Sequence, residues 1–145
     1  MFDIVVLSGG FDPIHIGHAR MIIAASKLGA EVVVGVNSDE WLKRKKGYAF
    51  MPWAERAEMA ESIKGVTKAV SFDDSDNSAC GLLRKVRAEN PNASIAFANG
   101  GDRNTGNIPE NDVASQLGIS LVWSVGGGKI QSSSELVKKL KDNIK

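Results

Sequence analysis

A chain of 145 residues, 43% of them hydrophobic, has the length of one ordinary domain and enough apolar side chains to build its core. With 18 Lys and Arg against 17 Asp and Glu, the net charge of +1 excludes a general attraction to nucleic acid or to acidic lipid, so a polyanion must be met by a local cluster. The single cysteine, Cys80, excludes an internal disulfide and a cysteine-rich zinc site, and it fits a reducing, cytoplasmic setting.

The first residues run directly into Ile4-Val5-Val6-Leu7, which is too short to span a bilayer, carries no basic leader and reads as a buried strand. From there β-branched runs alternate with helical periodicity, the pattern of a parallel sheet flanked by helices. Five strands are expected, over Asp3–Ser8, Glu31–Asn37, Lys68–Phe72, Ser94–Ala98 and Ser120–Val125. Met21, Ala24, Ala25 and Leu28 fall at helical spacing between the first two, with Gly29 as a C-terminal stop. Further helices are expected over Trp53–Ile63, Ala79–Glu89 and Glu110–Leu117, with a last one from Ser133 onward. The polar stretches Asp73–Asn77 and Asn99–Asn107 read as loops, and no repeat or linker divides the chain.

In an open parallel sheet, ligands bind beyond the carboxyl ends of the strands. Both histidines of the chain, His15 and His18, lie there, in Gly9-Gly10-Phe11-Asp12-Pro13-Ile14-His15-Ile16-Gly17-His18. Gly9 and Gly10 allow a tight turn and a close approach of backbone to ligand, and Gly17 clears space between the imidazoles. Helix-terminal amides and the positive end of the dipole then face the same point, a corner suited to a polyphosphate. A Gly-rich turn with partly exposed histidines, or half of a metal site, are the other readings of these residues. Neither GxGxxG nor GxxxxGK[ST] follows the first strand, which argues against a dinucleotide dehydrogenase and a P-loop enzyme.

This segment resembles the GxFDxxHxGH signature of the cytidylyltransferase-like nucleotidyltransferases, matched at every fixed position by Gly9, Phe11, Asp12, His15, Gly17 and His18. The resemblance implies a single Rossmann-like α/β domain, a five-stranded parallel sheet with helices on both faces. It also implies that His15 and His18 bind a triphosphate and stabilise its charge, while Phe11 and Asp12 shape the loop. Lys43-Arg44-Lys45-Lys46-Gly47, followed by Met51 and Glu55-Arg56, looks like the KG-to-ER stretch of choline-phosphate and ethanolamine-phosphate cytidylyltransferases. There the lysine contacts phosphate, so Lys46 is the implied contact, with Lys43 or Lys45 as a helper on a mobile loop. Arg56 is either a further nucleotide contact or a structural ion-pair partner.

Asn99-Gly100-Gly101-Asp102-Arg103 is either a glycine turn or a base- and ribose-binding loop in which Gly101 lets the backbone approach and Asp102 accepts a hydrogen bond. It resembles, with Val36-Asn37-Ser38-Asp39, the heptose-phosphate adenylyltransferase branch. Ser132-Ser133-Ser134-Glu135 has capping-box spacing before a helical stripe and also looks like the family's S-[ST]-T motif for the β and γ phosphates. The family's preceding arginine is replaced by a Gly126-Gly127-Gly128-Lys129 run, which leaves the base open between cytosine and adenine.

The implied partners are a nucleoside triphosphate, CTP before ATP, and a small phosphorylated polyol, amino-alcohol or sugar, with Mg²⁺ carried by the triphosphate and no dedicated metal site. A sugar-phosphate adenylyltransferase and a noncatalytic nucleotide-binding module are the alternatives. Neither nucleic acid nor membrane is an expected partner. Family members are often dimers, and Trp41, Trp53 and Trp123 are candidates for a homodimer contact, for the core or for a pocket.

Overall fold

The computed structural model of the chain describes residues 1–99 and 109–123. Its elements run β1 (Phe2–Gly9), α1 (Ile16–Ser26), β2 (Gly29–Val36), α2 (Asp39–Lys46), α3 (Trp53–Glu61), β3 (Lys68–Val70), α4 (Cys80–Glu89), β4 (Ile95–Ala98), α5 (Pro109–Leu117) and β5 (Ser120–Val122). The strands form one sheet in the order β3-β2-β1-β4-β5, and every neighbouring pair is parallel. A parallel sheet needs both faces covered, because its crossovers lay helices on each side.

Alternation along the strands decides which helix covers which face. Val5 and Leu7 of β1 point with Val32 and Val34 of β2 into a core completed by Ile22 and Ala25 of α1 and by Ala57 and Ala60 of α3. Ile4 and Val6 point the other way and meet Val33, Ile95 and Phe97, closed over by Leu82, Leu83 and Val86 of α4 and Val113 and Ala114 of α5. Each fully buried Val, Leu or Phe contributes about 1.5–3 kcal/mol of apolar transfer, so these two layers are the main force closing the domain.

Three expectations are corrected. Gly29 does not stop α1: the helix ends at Ser26, with the Lys27 amide donating to Ala24 and Ala25 carbonyls, and Gly29 opens β2. Glycine is needed there because a Cβ would lie 2.7 Å from Val5 Cγ2 and 2.9 Å from the Phe2 carbonyl oxygen. The third strand is shorter than expected, pairing only through Lys68–Val70. The basic cluster belongs to a helix, α2, rather than to a mobile loop. Ser38 caps that helix, Asp39 and Glu40 sit in its first turn, four cations fill its last, and Gly47 ends it at φ +89°. All of these signals follow the helix macrodipole and the left-handed C-terminal cap. The helix expected from Ser133 and the last residues of the expected fifth strand lie outside the described residues.

Gly35 in β2 gives a test of the packing. A Cβ there would sit 2.4 Å from Leu82 Cδ2 and 3.0 Å from Phe72 Cε1. Gly35→Ala is therefore expected to cost about 1–3 kcal/mol by overpacking, read as a lower urea midpoint with an unchanged slope.

Candidate active site

The sheet order reverses direction at β1, whose neighbours are β2 on one side and β4 on the other. Loops leaving the carboxyl ends of such strands diverge and open a crevice. Strands β1 and β2 end level, Gly9 opposite Val36, and the Asn37 amide continues the pairing onto the Gly9 carbonyl at 2.9 Å. The signature segment follows directly.

Gly9 and Gly10 are explained by packing rather than by unusual dihedrals. A Cβ on Gly9 would meet the Phe11 ring at 2.9 Å, and one on Gly10 would meet Leu42 of α2 at 3.0 Å. Phe11 takes the left-handed backbone region at φ +53°, a strained choice for a bulky residue. The ring is buried and packs against His18 in a T-shaped arrangement, 4.9 Å between centroids.

His15 is the N-cap of α1, its Nδ1 accepting the Gly17 amide at 3.1 Å. His18 reaches back, its Nδ1 accepting the His15 amide at 3.1 Å, and the two rings stack 3.8 Å apart. The Gly17 amide, at the start of the helix, is therefore committed to the His15 ring. In exchange the tautomer is set: an accepting Nδ1 keeps the imidazole proton on Nε2, as a donor. Both half-buried rings thus carry an N–H on the edge away from the helix backbone.

Lys46, in the last turn of α2, comes to this segment. Its Nζ donates to the Asp12 carbonyl oxygen at 2.6 Å, lies 3.2 Å from the Asp12 carboxylate, and sits 5.2 Å from the centre of the Tyr48 ring. The Asp12 carboxylate is buried and accepts the amides of Phe50 and Met51, each at 2.6 Å. One aspartate thereby ties the signature loop to the α2–α3 loop. Lys43 is exposed, while Lys45 lies over the Trp41 ring at 4.6 Å.

Arg56 has no exposed surface at all. Its guanidinium donates to the carbonyls of Met51, Gly10 and Asn37 at 2.9, 2.8 and 2.7 Å, and to Asp39 Oδ1 at 2.6 Å. These bonds fit the structural role expected for it: Arg56 ties together the loops that carry Met51, Gly10 and Asn37. Trp53 is also turned inward, its indole N–H on the Val36 carbonyl at 3.0 Å.

A residue without any expected role stands out beside this hub. Asp74, in the loop after β3, is buried and accepts from the Ser38 amide, the Ser38 hydroxyl and the Asn37 side-chain amide at 2.7, 2.7 and 3.1 Å. Asp73 and Asp76 on the same loop are exposed. The Ser75 hydroxyl and then its amide hold the Asp73 carboxyl below its ordinary range. For Asp76 the Ser78 amide and then its hydroxyl do the same.

Among the described residues no three His, Cys, Asp or Glu side chains gather where they could hold a metal ion, and no helix is long and apolar enough to cross a membrane. Gly101, Asp102, Ser132, Ser133 and Ser134 lie outside the described residues.

A model of the cytidylyltransferase-like family matches residues 6–141, nearly the whole chain. The chain belongs to this family. Its fold is thus that of a family of nucleotidyltransferases. The bifunctional protein HldE of a Nitratiruptor species is 29% identical over 140 residues, 95% of this chain but 28% of that protein. An ethanolamine-phosphate cytidylyltransferase of Arabidopsis thaliana is 39% identical over 67 residues, 46% of this chain and 16% of the relative. The chain therefore spans well under a third of the length of these two relatives. A lipopolysaccharide core biosynthesis protein from Thermoplasma volcanium has the same fold, with a TM-score of 0.63 at 20% identity over 90% of this chain and all of that one.

Proposed function

We propose that this domain transfers a nucleoside monophosphate from a nucleoside triphosphate, CTP before ATP, to a small phosphorylated polyol, amino-alcohol or sugar, and releases pyrophosphate. The observation that carries the reading is the histidine pair at the start of α1: two stacked rings whose Nδ1 atoms accept backbone amides, so that each Nε2 keeps its proton as a donor.

An acceptor phosphate is already ionised near neutral pH, so this chain has no need of a strong general base. An oxygen of that phosphate attacks the α-phosphorus in line, a new P–O bond forms, the bond to the bridging oxygen of the β-phosphate breaks, and the electron pair leaves on pyrophosphate. The work left to the protein is aligning two polyanions and offsetting charge at the α-phosphorus and leaving group. His15 and His18 donate to phosphate oxygens, and Lys46, which meets the same signature loop at the Asp12 carbonyl and carboxylate, adds a further N–H donor. Lys43 assists from the exposed face of α2, and Gly101, Asp102 and Ser132–Ser134 take the base, ribose and terminal phosphates. The donors assembled here are N–H groups, which suit phosphate oxygens; Mg²⁺ accordingly belongs with the triphosphate, where it supplies neutralising charge.

The test is pyrophosphate release by the purified protein with Mg²⁺, each of the four common nucleoside triphosphates, and a panel of phosphorylated polyols, amino-alcohols and sugars. Release that depends on one triphosphate together with one acceptor is the expected result, and dependence on ATP in place of CTP selects the sugar-phosphate adenylyltransferase alternative. Triphosphate binding without release across the whole panel would overturn the transfer reading in favour of a noncatalytic nucleotide-binding module.

A further inference from the structure

We propose that Asp74 is a positioning residue for the transfer reaction: from the loop after β3 it fixes the first turn of α2 and so sets where Lys46, at the far end of that helix, meets the signature loop at Asp12. This rests on the reading of Lys46 given under Proposed function.

The connection is traceable atom by atom. Ser38 is the N-cap of α2, its Oγ accepting the Trp41 amide at 3.1 Å. The hydroxyl proton is given to Asp74 Oδ1 at 2.7 Å, so the cap is oriented by the aspartate and cannot rotate away without losing both bonds. Asp74 Oδ2 takes the Ser38 amide and the Asn37 side chain, fixing the backbone where β2 hands over to α2. Farther along the helix, Arg44 donates to the Asp74 carbonyl at 2.8 Å and to Asn77 Oδ1 at 3.0 Å. The aspartate and its loop thus grip α2 at its start and at a residue two before Lys46.

The geometry makes this grip matter for chemistry. An eight-residue helix is about 12 Å long, so a tilt of about 10° at its cap moves the far end by about 2 Å. A displacement of about 1 Å at a reacting centre costs about 10²-fold in rate. Asp39, pinned by Arg56, and buried Leu42 hold the inner face of α2, while Asp74 and Arg44 hold the helix to the loop after β3.

Asp74→Ala removes every carboxylate bond. Asp74→Asn keeps the shape and most of the bonding, because its oxygen can accept from Ser38 N and Asn37 while its amide donates to Ser38 Oγ. The experiment is a double-mutant cycle of Asp74→Ala with Lys46→Ala in kcat/KM, accompanied by hydrogen exchange of the α2 amides and by the Asp74→Asn protein. Expected are a loss of about tenfold or more for Asp74→Ala in the presence of Lys46, a loss of less than about threefold in the Lys46→Ala background, and recovery of most of the activity with Asn. Exchange should quicken over residues 39–47 and stay unchanged in β1. Equal losses in both backgrounds, or unaltered exchange in α2, would overturn the proposal. Silence of the wild-type protein in the pyrophosphate assay would instead remove the transfer reading and, with it, Asp74's part in catalysis, whatever the exchange shows. If Lys46→Ala alone keeps full activity, the assignment of Lys46 fails, and the proposal with it.

Discussion

Arg56→Ala is expected to lower the stability of the domain by about 3–5 kcal/mol, at the far end of what a single substitution does. The guanidinium is fully buried and satisfies three backbone carbonyls and the Asp39 carboxylate at once. Removing it leaves those buried acceptors without their donor, and each orphaned acceptor costs about 1–3 kcal/mol. Arg56→Lys should recover little, since one ammonium on a flexible stem cannot serve four acceptors spread around a planar fork. The measurement is urea unfolding of the three proteins. A fall in midpoint shared by both variants is expected. Stability preserved to within about 1 kcal/mol, with triphosphate affinity alone reduced, would return Arg56 to the nucleotide-binding role.

The same arginine shows where sequence reading stops. Its partners lie 5, 17, 19 and 46 residues away in the chain, and nothing local in Trp53-Ala54-Glu55-Arg56 distinguishes an arginine on a solvated helix face from one buried under three loops. Asp74 was hidden in the same way: its partners are 36 and 37 residues upstream, and the surrounding Asp and Ser residues read simply as a polar loop. The central strands, by contrast, were legible because their apolar residues are buried on both faces of a parallel sheet, so the apolar signal is continuous and local. Helix α2 fell between these cases. Only Leu42 among its eight residues is buried, which leaves too little apolar periodicity to detect. Its start and stop chemistry was nevertheless present in Ser38, Asp39, Glu40 and Gly47. The signature loop was legible as a motif, whereas the division of labour within it, with Nδ1 atoms serving the helix cap, depends on ring orientation that no spacing reveals.

That division of labour makes His15→Asn the decisive substitution at the site. Asparagine is among the best N-cap residues, and its side-chain oxygen can accept the Gly17 amide that His15 Nδ1 accepts at 3.1 Å. The cap should therefore survive and the melting temperature should change by no more than a few degrees. What asparagine cannot supply is the Nε2–H donor on the far edge of the ring or the stack against His18 at 3.8 Å. Turnover is expected to fall by about 10²-fold or more, the cost of losing one preorganised donor to a charge-developing oxygen. His18→Asn should behave alike, its side-chain oxygen taking the His15 amide while the donor is lost. Thermal unfolding and pyrophosphate release, measured on both variants, separate the two contributions. Turnover retained with an intact cap would mean that the histidines serve only to begin the helix. A loss of turnover in proportion to a loss of stability would mean that their contribution to activity runs through the fold. Turnover lost while the domain stays folded places the chemistry on the outer edge of the rings, since that edge is the part of each histidine the substitution removes.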